Sequence, residues 1–492
     1  GSSGNGGAVT VTNHSLIRTS GANAIGILAQ SVGGGGGVVM VSGSGTITPT
    51  WGRGTGYGGN VTVNVNSPIY TTGAGAYGVV AESVGGGGGL AISGTSVTDD
   101  GGYGKGFGGE VIINVNAPIY ASGKGAMAIY GHSISGSADP AVTVAAGQTV
   151  SATDGASAII LDGAVNSLTN RGSVLGVNNA LTETALETRG NGVTALNNYG
   201  LFTGNVKATT GTITATNHTD GTFIAGSIIN LGSSSNLFTN NGYFEITPSS
   251  TSTTTSTNIT GSFVQNGSGT TLVRMDLPEN RMDQYRVTGG ANLAGSLRPD
   301  LQNTSYITPG TVTQNVFITG SPAVVDPNLI FLNNSIMMSY VAAANNNGIS
   351  VAATTNFAPA GMSNFSTQVG GSIGSMQTAG SSPFFGTVTS RLIATQSTIA
   401  QLDQTYTALA GTAISAVPQV NYEAVNRSIA NFSDRMNSWR VGDGFVATSN
   451  NNQKSLLNNF IKVGMPIASL GSNDELPTAK KKAGDFRTWI TP

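Results

Sequence analysis

The sequence predicts an all-β protein: a right-handed parallel β-helix, or solenoid, with a β-rich C-terminal cap and a short α-helical linker after it. Three observations carry the prediction. A glycine-rich segment recurs with a period of 52 and then 50 residues, marked by Ile17, Ile69 and Ile119. Within each repeat, β-branched residues alternate with Thr and Asn, the pattern of strands with one buried face. Far along the chain, from about residue 386, the apolar spacing changes to that of a helix.

The first repeat runs from Gly6-Gly7 through the alternating Val9 and Val11, then Leu16-Ile17, then Ala24 to Val32, and ends in five glycines, Gly33–Gly37. The second runs from Gly58-Gly59 through Val61, Val63 and Val65 to Gly85–Gly89, and the third from Gly108-Gly109 to Ile134, where the run decays to Ser135-Gly136-Ser137. Each repeat is expected to hold about two coils of ~25 residues, stacked ~4.8 Å apart. The signal continues with turn cues whose glycines, Gly172, Gly200, Gly221 and Gly242, are spaced 28, 21 and 21 residues apart. Asn and Gly there are expected to supply corners with φ > 0. This gives ten to twelve coils over residues 1–275, the β-helix body, with Ser249–Ile259 as a low-complexity loop or polar flank.

Residues 276–385 are denser in apolar residues (Tyr285 to Leu297, Val316-Phe-Ile, Ile336 to Val341) and read as a strand-rich cap. A stack of coils needs such an atypical unit to hide its last strand edge. Residues 386–440 read as the helical linker. Leu392, Ile399, Leu402, Tyr406 and Leu409 form one stripe; Tyr422, Val425, Ile429, Phe432, Met436 and Trp439 form another at spacings of 3 and 4. Residues 441–492 are a polar connector ending in Phe486–Pro492, which reads as the beginning of a strand cut short. Residue 1 is Gly with no charged-then-apolar leader behind it, so the expectation is a fragment of a longer protein. No run of 18 apolar residues occurs, so no membrane-spanning helix is expected.

Composition narrows the function. Of 492 residues 72 are glycine, about twice the usual ~7 %. Charged residues make up 9 % and the net charge is −2, so there is no polycation to hold a phosphate backbone and nucleic acid is excluded as a partner. The absence of cysteine removes disulfides, thiolate metal sites and Cys nucleophiles.

The remaining motifs are weak carriers of chemistry. His14, His132 and His218 lie on different coils without metal-ligand spacing and are expected to be separate surface or turn residues. Gly370-Gly-Ser372-Ile-Gly374 matches the nucleophile-elbow pattern, but no histidine follows His218 to serve as base. Gly54-x-Gly56-x-x-Gly59 and Gly104-x-Gly106-x-x-Gly109 match the dinucleotide fingerprint but precede strands instead of opening helices. Gly101 to Gly106 lacks the Asp of calcium-binding β-rolls, and Asp99-Asp100 is an isolated pair. A β-helix glycosidase needs paired carboxylates on neighbouring coils, and the acidic residues are sparse, with Glu82 and Glu110 in different segments. No catalytic residue, metal ligand or cofactor is therefore expected, and the chain is read as not an enzyme. The five-glycine runs are either permissive corners or flexible display loops.

The module Gly21-Ala-x-Ala24-x-Gly-Ile-x-Ala-Gln-Ser-Val32 with its glycine run resembles the repeated passenger module of Gram-negative autotransporters (type V secretion). Gln284 to Leu297 resembles the folding core of pertactin-like passengers, and Thr395 to Asp403 with Leu409-Ala-Gly411 is similar to the linker before a translocator barrel. Together these cover most of residues 1–440. The resemblance implies a surface-displayed passenger, exported through its own C-terminal outer-membrane β-barrel, which is missing here, with the helix at 421–440 in the barrel lumen. It implies an adhesive stalk at the outer membrane or cell surface, with glycans, matrix proteins or neighbouring cells as partners. The alternative is a non-catalytic stalk for an enzymatic domain upstream of residue 1. Ala430-Asn431 replaces the Asn-Asn pair at which some autotransporters cut themselves, so an uncut pore helix is expected.

Overall fold

The computed structural model describes residues 3–41, 54–93, 96–100, 105–134, 140–153, 157–176, 181–247, 253–333, 335–380, 383–411 and 425–431. The third repeat's Ser135-Gly136-Ser137, Gly101 to Gly104, the rest of the 421–440 helix and the connector with its Phe486–Pro492 end lie outside these residues. The chain divides into two compact units, Gly1–Ala410 and Gly411–Pro492. The first is a parallel β-solenoid with a helical C-terminal region. One wall is an 11-stranded sheet running from the strand Val9–Asn13 to Ala323–Val325, and a 22-stranded sheet supplies the other walls.

Each glycine-rich repeat folds as one coil. Val9 faces Val61, and Val61 faces Val111, in parallel register. Hydrogen bonds between equivalent side chains measure the coil length: 52 residues from Thr12 to Asn64 and 50 from Asn64 to Asn114, then 28 from Asn170 to Asn198 and 19 from Asn198 to Asn217. Two coils per repeat was therefore an overestimate. Among the described residues, the eleven rungs of the first wall extend past residue 275 to Val325. The extra residues of a long coil form an outer flap, the strands Gly37–Val41, Gly89–Ser93 and Ser96–Asp100, which pair with one another. Leu90 packs there with Tyr77, Val80, Met127 and Tyr130 in a small second core outside the wall. That is why Tyr77–Val84 is buried on both faces.

The glycine runs are stacked corners, which resolves the two sequence readings. Gly34 and Gly35 have φ of 82° and 89°, and their counterparts Gly86 and Gly87 have 71° and 80°. The Gly87 N–H donates to the Gly33 carbonyl at 2.9 Å, joining one run to the next. The later corners differ from expectation. Gly172, Gly200, Gly221 and Gly242 do not have positive φ. They are glycine because coils meet there: a Cβ on Gly200 would overlap the Gly172 carbonyl, and one on Gly242 would overlap the Gly221 carbonyl.

The asparagines of these corners point inward. Asn170, Asn198, Asn217 and Asn240 are fully buried and Gln265 nearly so. Each Nδ2 donates to the next residue's side-chain oxygen, at 2.8, 2.8, 2.9 and 3.0 Å. Beside this ladder runs an aromatic column. Phe202 stacks on Phe223 at 4.6 Å between ring centres, and the contacts continue through Phe238, Phe244 and Phe263 to Phe317. The glycine coils carry Val, Ile and Ala in the same interior. The Ser249–Ile259 segment is not all loop, because Ser256–Thr260 is a strand with Thr257 and Ile259 fully buried.

The solenoid ends in an antiparallel meander. Gly310–Thr319 pairs with Gly348–Thr355, which pairs with Met338–Asn345. The helical region follows earlier than periodicity suggested. Helix α1 spans Asn364–Thr378 and α2 spans Pro383–Thr395. The buried stripe of α1 is Ser366, Gly370, Ile373, Gly374 and Gln377, so it has helical spacing but little hydrophobicity to reveal it. Its glycines allow close docking: a Cβ on Gly370 would overlap the Phe357 carbonyl. The stripe through Leu392 and Tyr406 is split between α2 and a second helical stretch, 399–411. Thr398 Oγ1 accepts the Gln401 N–H at 3.3 Å, and Gln401 Oε1 accepts the Ser397 N–H at 3.2 Å, the reciprocal bonding that starts a helix. Leu392, Leu402 and Tyr406 join the main core, where the Tyr406 hydroxyl donates to the Phe357 carbonyl at 2.8 Å.

Candidate binding surface

One side chain per coil is repeated along the outer walls, so surface chemistry is organised in columns. Arg18, Tyr70 and Tyr120 share one register. The Arg18 guanidinium sits 4.6 Å above the Tyr70 ring centre, and Tyr70 stacks on Tyr120 at 5.3 Å. A second column occupies the corner beside the asparagine ladder. Arg171 lies 4.3 Å over Tyr199, and Tyr199 stacks on His218 at 3.9 Å. Burial and Arg171 both lower the pKa of His218, so it is neutral at pH 7, and its Nε2 lies 3.1 Å from Asn197 Oδ1. Tyr57 and Phe107, each about half exposed, form a third pair 6.2 Å apart. Amides extend the columns: Asn64 to Asn114, Asn66 to Asn116, and Asn241 to Asn266 are bonded at 2.9, 2.9 and 2.7 Å.

The three histidines are separate, but they are not all on the surface. His132 is 2 % exposed, with Nδ1 3.1 Å from Oε1 of the fully buried Glu82. Gln30 bonds the other Glu82 oxygen, and Gln30, Glu82, His132 and Asp162 occupy one register across four coils. The buried pair lies on the same wall as Tyr77 and Tyr130 of the small second core. His14 is exposed. Ser372 of the elbow-like motif lies inside α1 and donates to the Gln368 carbonyl at 2.9 Å, which is not the strand–turn–helix setting of a nucleophile. Gly56 and Gly59 come before the strand Val61–Val65, Gly106 and Gly109 before Val111–Val115, and each fills a coil-to-coil contact. Asp99 and Asp100 end a flap strand. Among the described residues no group of three or more His, Asp or Glu side chains could hold a metal ion.

One cluster was missed at the sequence level. Arg274, 6 % exposed, donates to the fully buried Asp283 at 3.1 Å and to the Ile246 carbonyl at 2.8 Å, and lies 3.5 Å from Glu245. Burial pushes the Asp283 carboxyl up to about 6, against the opposing pull of the Thr255 N–H and Arg274. Burial likewise raises Glu245, with Asp300 adding to the rise and Arg274 opposing it. Asp276, also fully buried, accepts from Thr253 and Asn303 and lies 3.6 Å from Arg281. The only signal available was spacing by one coil: the Arg274–Glu245 contact spans 29 residues and the Asp276–Asn303 bond spans 27. Beside it, Thr254, Ser256, Arg281, Gln284 and Gln314 line an open polar cleft of about 380 Å³.

Compared with known proteins, the chain matches no family profile and no curated protein. The parallel solenoid is established by its own strand register.

Proposed function

We propose that the chain is the passenger of an autotransporter. In this reading it is an adhesive stalk at the outer membrane or cell surface, exported through a C-terminal outer-membrane β-barrel and acting through non-covalent contact with glycans, matrix proteins or neighbouring cells. No catalytic or cofactor role is assigned. The observation that carries the reading is the eleven-rung solenoid with repeated outer columns of Tyr, Asn and Thr. The stacked, half-buried rings and the amides beside them recur from coil to coil, and the amides supply donors and acceptors at a regular spacing. A polymeric ligand can meet such an array at several rungs at once, so weak contacts add through effective concentration. Absence of cysteine suits passage as an unfolded chain. In the helical stretch 425–431, Val425 and Ile429 lie one turn apart and are more than half exposed.

The test is to fuse the full chain ahead of a translocator barrel and produce it in a Gram-negative host. Protease shaving of intact cells then reports display, while cell sedimentation and binding to glycan and matrix arrays report adhesion. Display with faster sedimentation or saturable array binding is the expected result. A chain retained inside the cell overturns the export reading. A displayed chain that leaves sedimentation and array binding unchanged overturns the adhesive one.

A further inference from the structure

Polar side chains of the outer columns bond to their copies in the next coil, as Asn64 does to Asn114. The cleft beside the Arg274 cluster departs from that rule. A short antiparallel hairpin, Met275–Asp276 against Arg281–Met282, breaks the parallel pattern there, and Ser256 and Gln284 face each other on neighbouring strands beside it. Gln314 reaches the turn of this hairpin from the strand Gly310–Thr319. Its Nε2 donates to the Asn280 carbonyl and to Asn280 Oδ1, both at 2.9 Å. Asn280 has a φ of 54°, the left-handed region that asparagine tolerates. The turn is thereby held, and Arg281 follows it directly.

The groups left over in the cleft are mostly donors. Gln284 Oε1 accepts from Arg286 at 2.7 Å, which leaves its amide nitrogen. Asn280 Oδ1 is taken by Gln314, which leaves Nδ2. The Arg281 side chain is 51 % exposed, and its guanidinium lies 3.6 Å from the fully buried Asp276, too far for a hydrogen bond. Among the described residues none of these three groups donates a hydrogen bond. The lining contains no Asp or Glu, and Arg281 is its one charged residue. Thr255 and Ser256 add hydroxyls, Gln314 keeps its carbonyl oxygen, and Met282 adds an apolar surface. The volume of about 380 Å³ suits a small ligand.

We propose that this cleft binds a carboxylated sugar unit of a glycan, with the carboxylate on Arg281 and the sugar hydroxyls on the amides and hydroxyls around it. A guanidinium fork matches a planar carboxylate in bidentate geometry, and a lining without carboxylates does not repel one. A neutral sugar leaves the Arg281 charge unmatched, and a carboxylate without a ring leaves the amides unused. The inference rests on the adhesive reading, for which it names one ligand class and one place.

The test is saturation-transfer NMR on the full chain with three probes. Methyl β-glucuronoside carries the ring and the carboxylate. Methyl β-glucoside has the same ring with a hydroxymethyl group instead, and acetate has the carboxylate alone. Saturable binding of the glucuronoside at about 1 mM is expected, at least tenfold tighter than either other probe. Arg281→Gln should weaken it at least tenfold. Arg281→Lys keeps a charge beside Asp276 but loses the fork, and should weaken it at least threefold. Arg391→Gln, at an exposed arginine of α2, should change nothing. Circular dichroism checks that each variant is folded. No binding of the glucuronoside, equal binding of the glucoside, or parental affinity in folded Arg281→Lys overturns the proposal. A glycan array separates the two readings. Acidic glycans bound equally by the parent and Arg281→Gln overturn the cleft and leave adhesion standing. A parent that binds no array or matrix, yet takes the glucuronoside through Arg281, supports the cleft and overturns adhesion.

Discussion

Replacing Asn217 with Ala tests the internal ladder at its centre. Asn217 is fully buried. Its Nδ2 donates to Asn240 Oδ1 at 2.9 Å, to the Tyr243 carbonyl at 3.0 Å and to the Gly221 carbonyl at 3.2 Å, while its Oδ1 accepts from Asn198 at 2.8 Å. A buried hydrogen bond contributes about 1 kcal/mol net, and a buried group left without its partner costs ~1–3 kcal/mol. The Asn198 amide keeps the Gly200 and Thr222 carbonyls as acceptors, at 3.0 and 3.1 Å, so that part of the loss is recovered, whereas Asn240 Oδ1 loses its donor. The expected destabilisation is on the order of 2–4 kcal/mol. Asn116→Ala is the control, because its bond to Asn66 is exposed and should be worth no more than ~0.5 kcal/mol. Stacked coils couple mainly to their neighbours, so unfolding need not be all-or-none. The assay is therefore hydrogen exchange of Thr212–Asn217 and Leu237–Asn240 alongside a urea titration. If Asn217→Ala costs no more than Asn116→Ala and leaves exchange at those strands unchanged, the ladder does not hold the coils together and the reasoning fails.

Two further outcomes follow from packing and charge. In α1, Gly371 is exposed with nothing within 4 Å of a Cβ, so Gly371→Ala should stabilise by ~0.5–1 kcal/mol; Gly370→Ala should destabilise, because its Cβ meets the Phe357 carbonyl. Opposite signs in a thermal melt are the check. Asp283, pushed up to about 6 by burial, binds a proton in the folded chain at a pH where the unfolded chain has released it. Stability should therefore rise as pH falls from about 6 towards 4, by on the order of 2 kcal/mol, and Asp283→Asn should flatten that rise. The lowered carboxyl of Glu187 opposes the rise below about its ordinary value of 4.5, and the lowered imidazole of His218 opposes it below its ordinary value of 6.5, so the contribution of Asp283 is read as the difference between parent and Asp283→Asn. A midpoint that climbs equally in parent and variant refutes the role of Asp283.

The solenoid was legible because its repeats put the same residue at the same place in each coil. Alternation at Val61, Val63 and Val65 announced a strand, and the period announced the stack. The coil length was misjudged because a 50-residue module looks like two short coils when one of its strands is an outer flap. The corner glycines were found but given the wrong cause: sequence flags a small residue without distinguishing left-handed backbone from a neighbouring carbonyl. Helix α1 was hidden because three of its five buried residues are Ser or Gly, so apolar periodicity had little to detect.

The buried charges were hidden by the same logic that made the fold visible. A solenoid brings together residues separated by one coil, and coil length here drifts from 28 to 19 to 23 residues. Without the register, Glu245, Arg274 and Asp300 are isolated charges in a chain poor in them. With it, Arg274 faces Asp300 directly across neighbouring strands, and Glu245 lies one coil back. Burying such a group is costly unless its partners are fixed, and the stack fixes them. The asparagine ladder and the aromatic column obey the same rule, since each member is buried against its copy in the next coil. An outer column has a weaker structural requirement: replacing the exposed Asn116 should cost the fold little, and replacing the half-buried Tyr120 should cost less than replacing a fully buried member of the aromatic column. A repeated outer residue that the coil does not need is the place to look for binding, and for that reason the outer columns of Tyr and Asn, more than the buried clusters, are where the surface function should be sought.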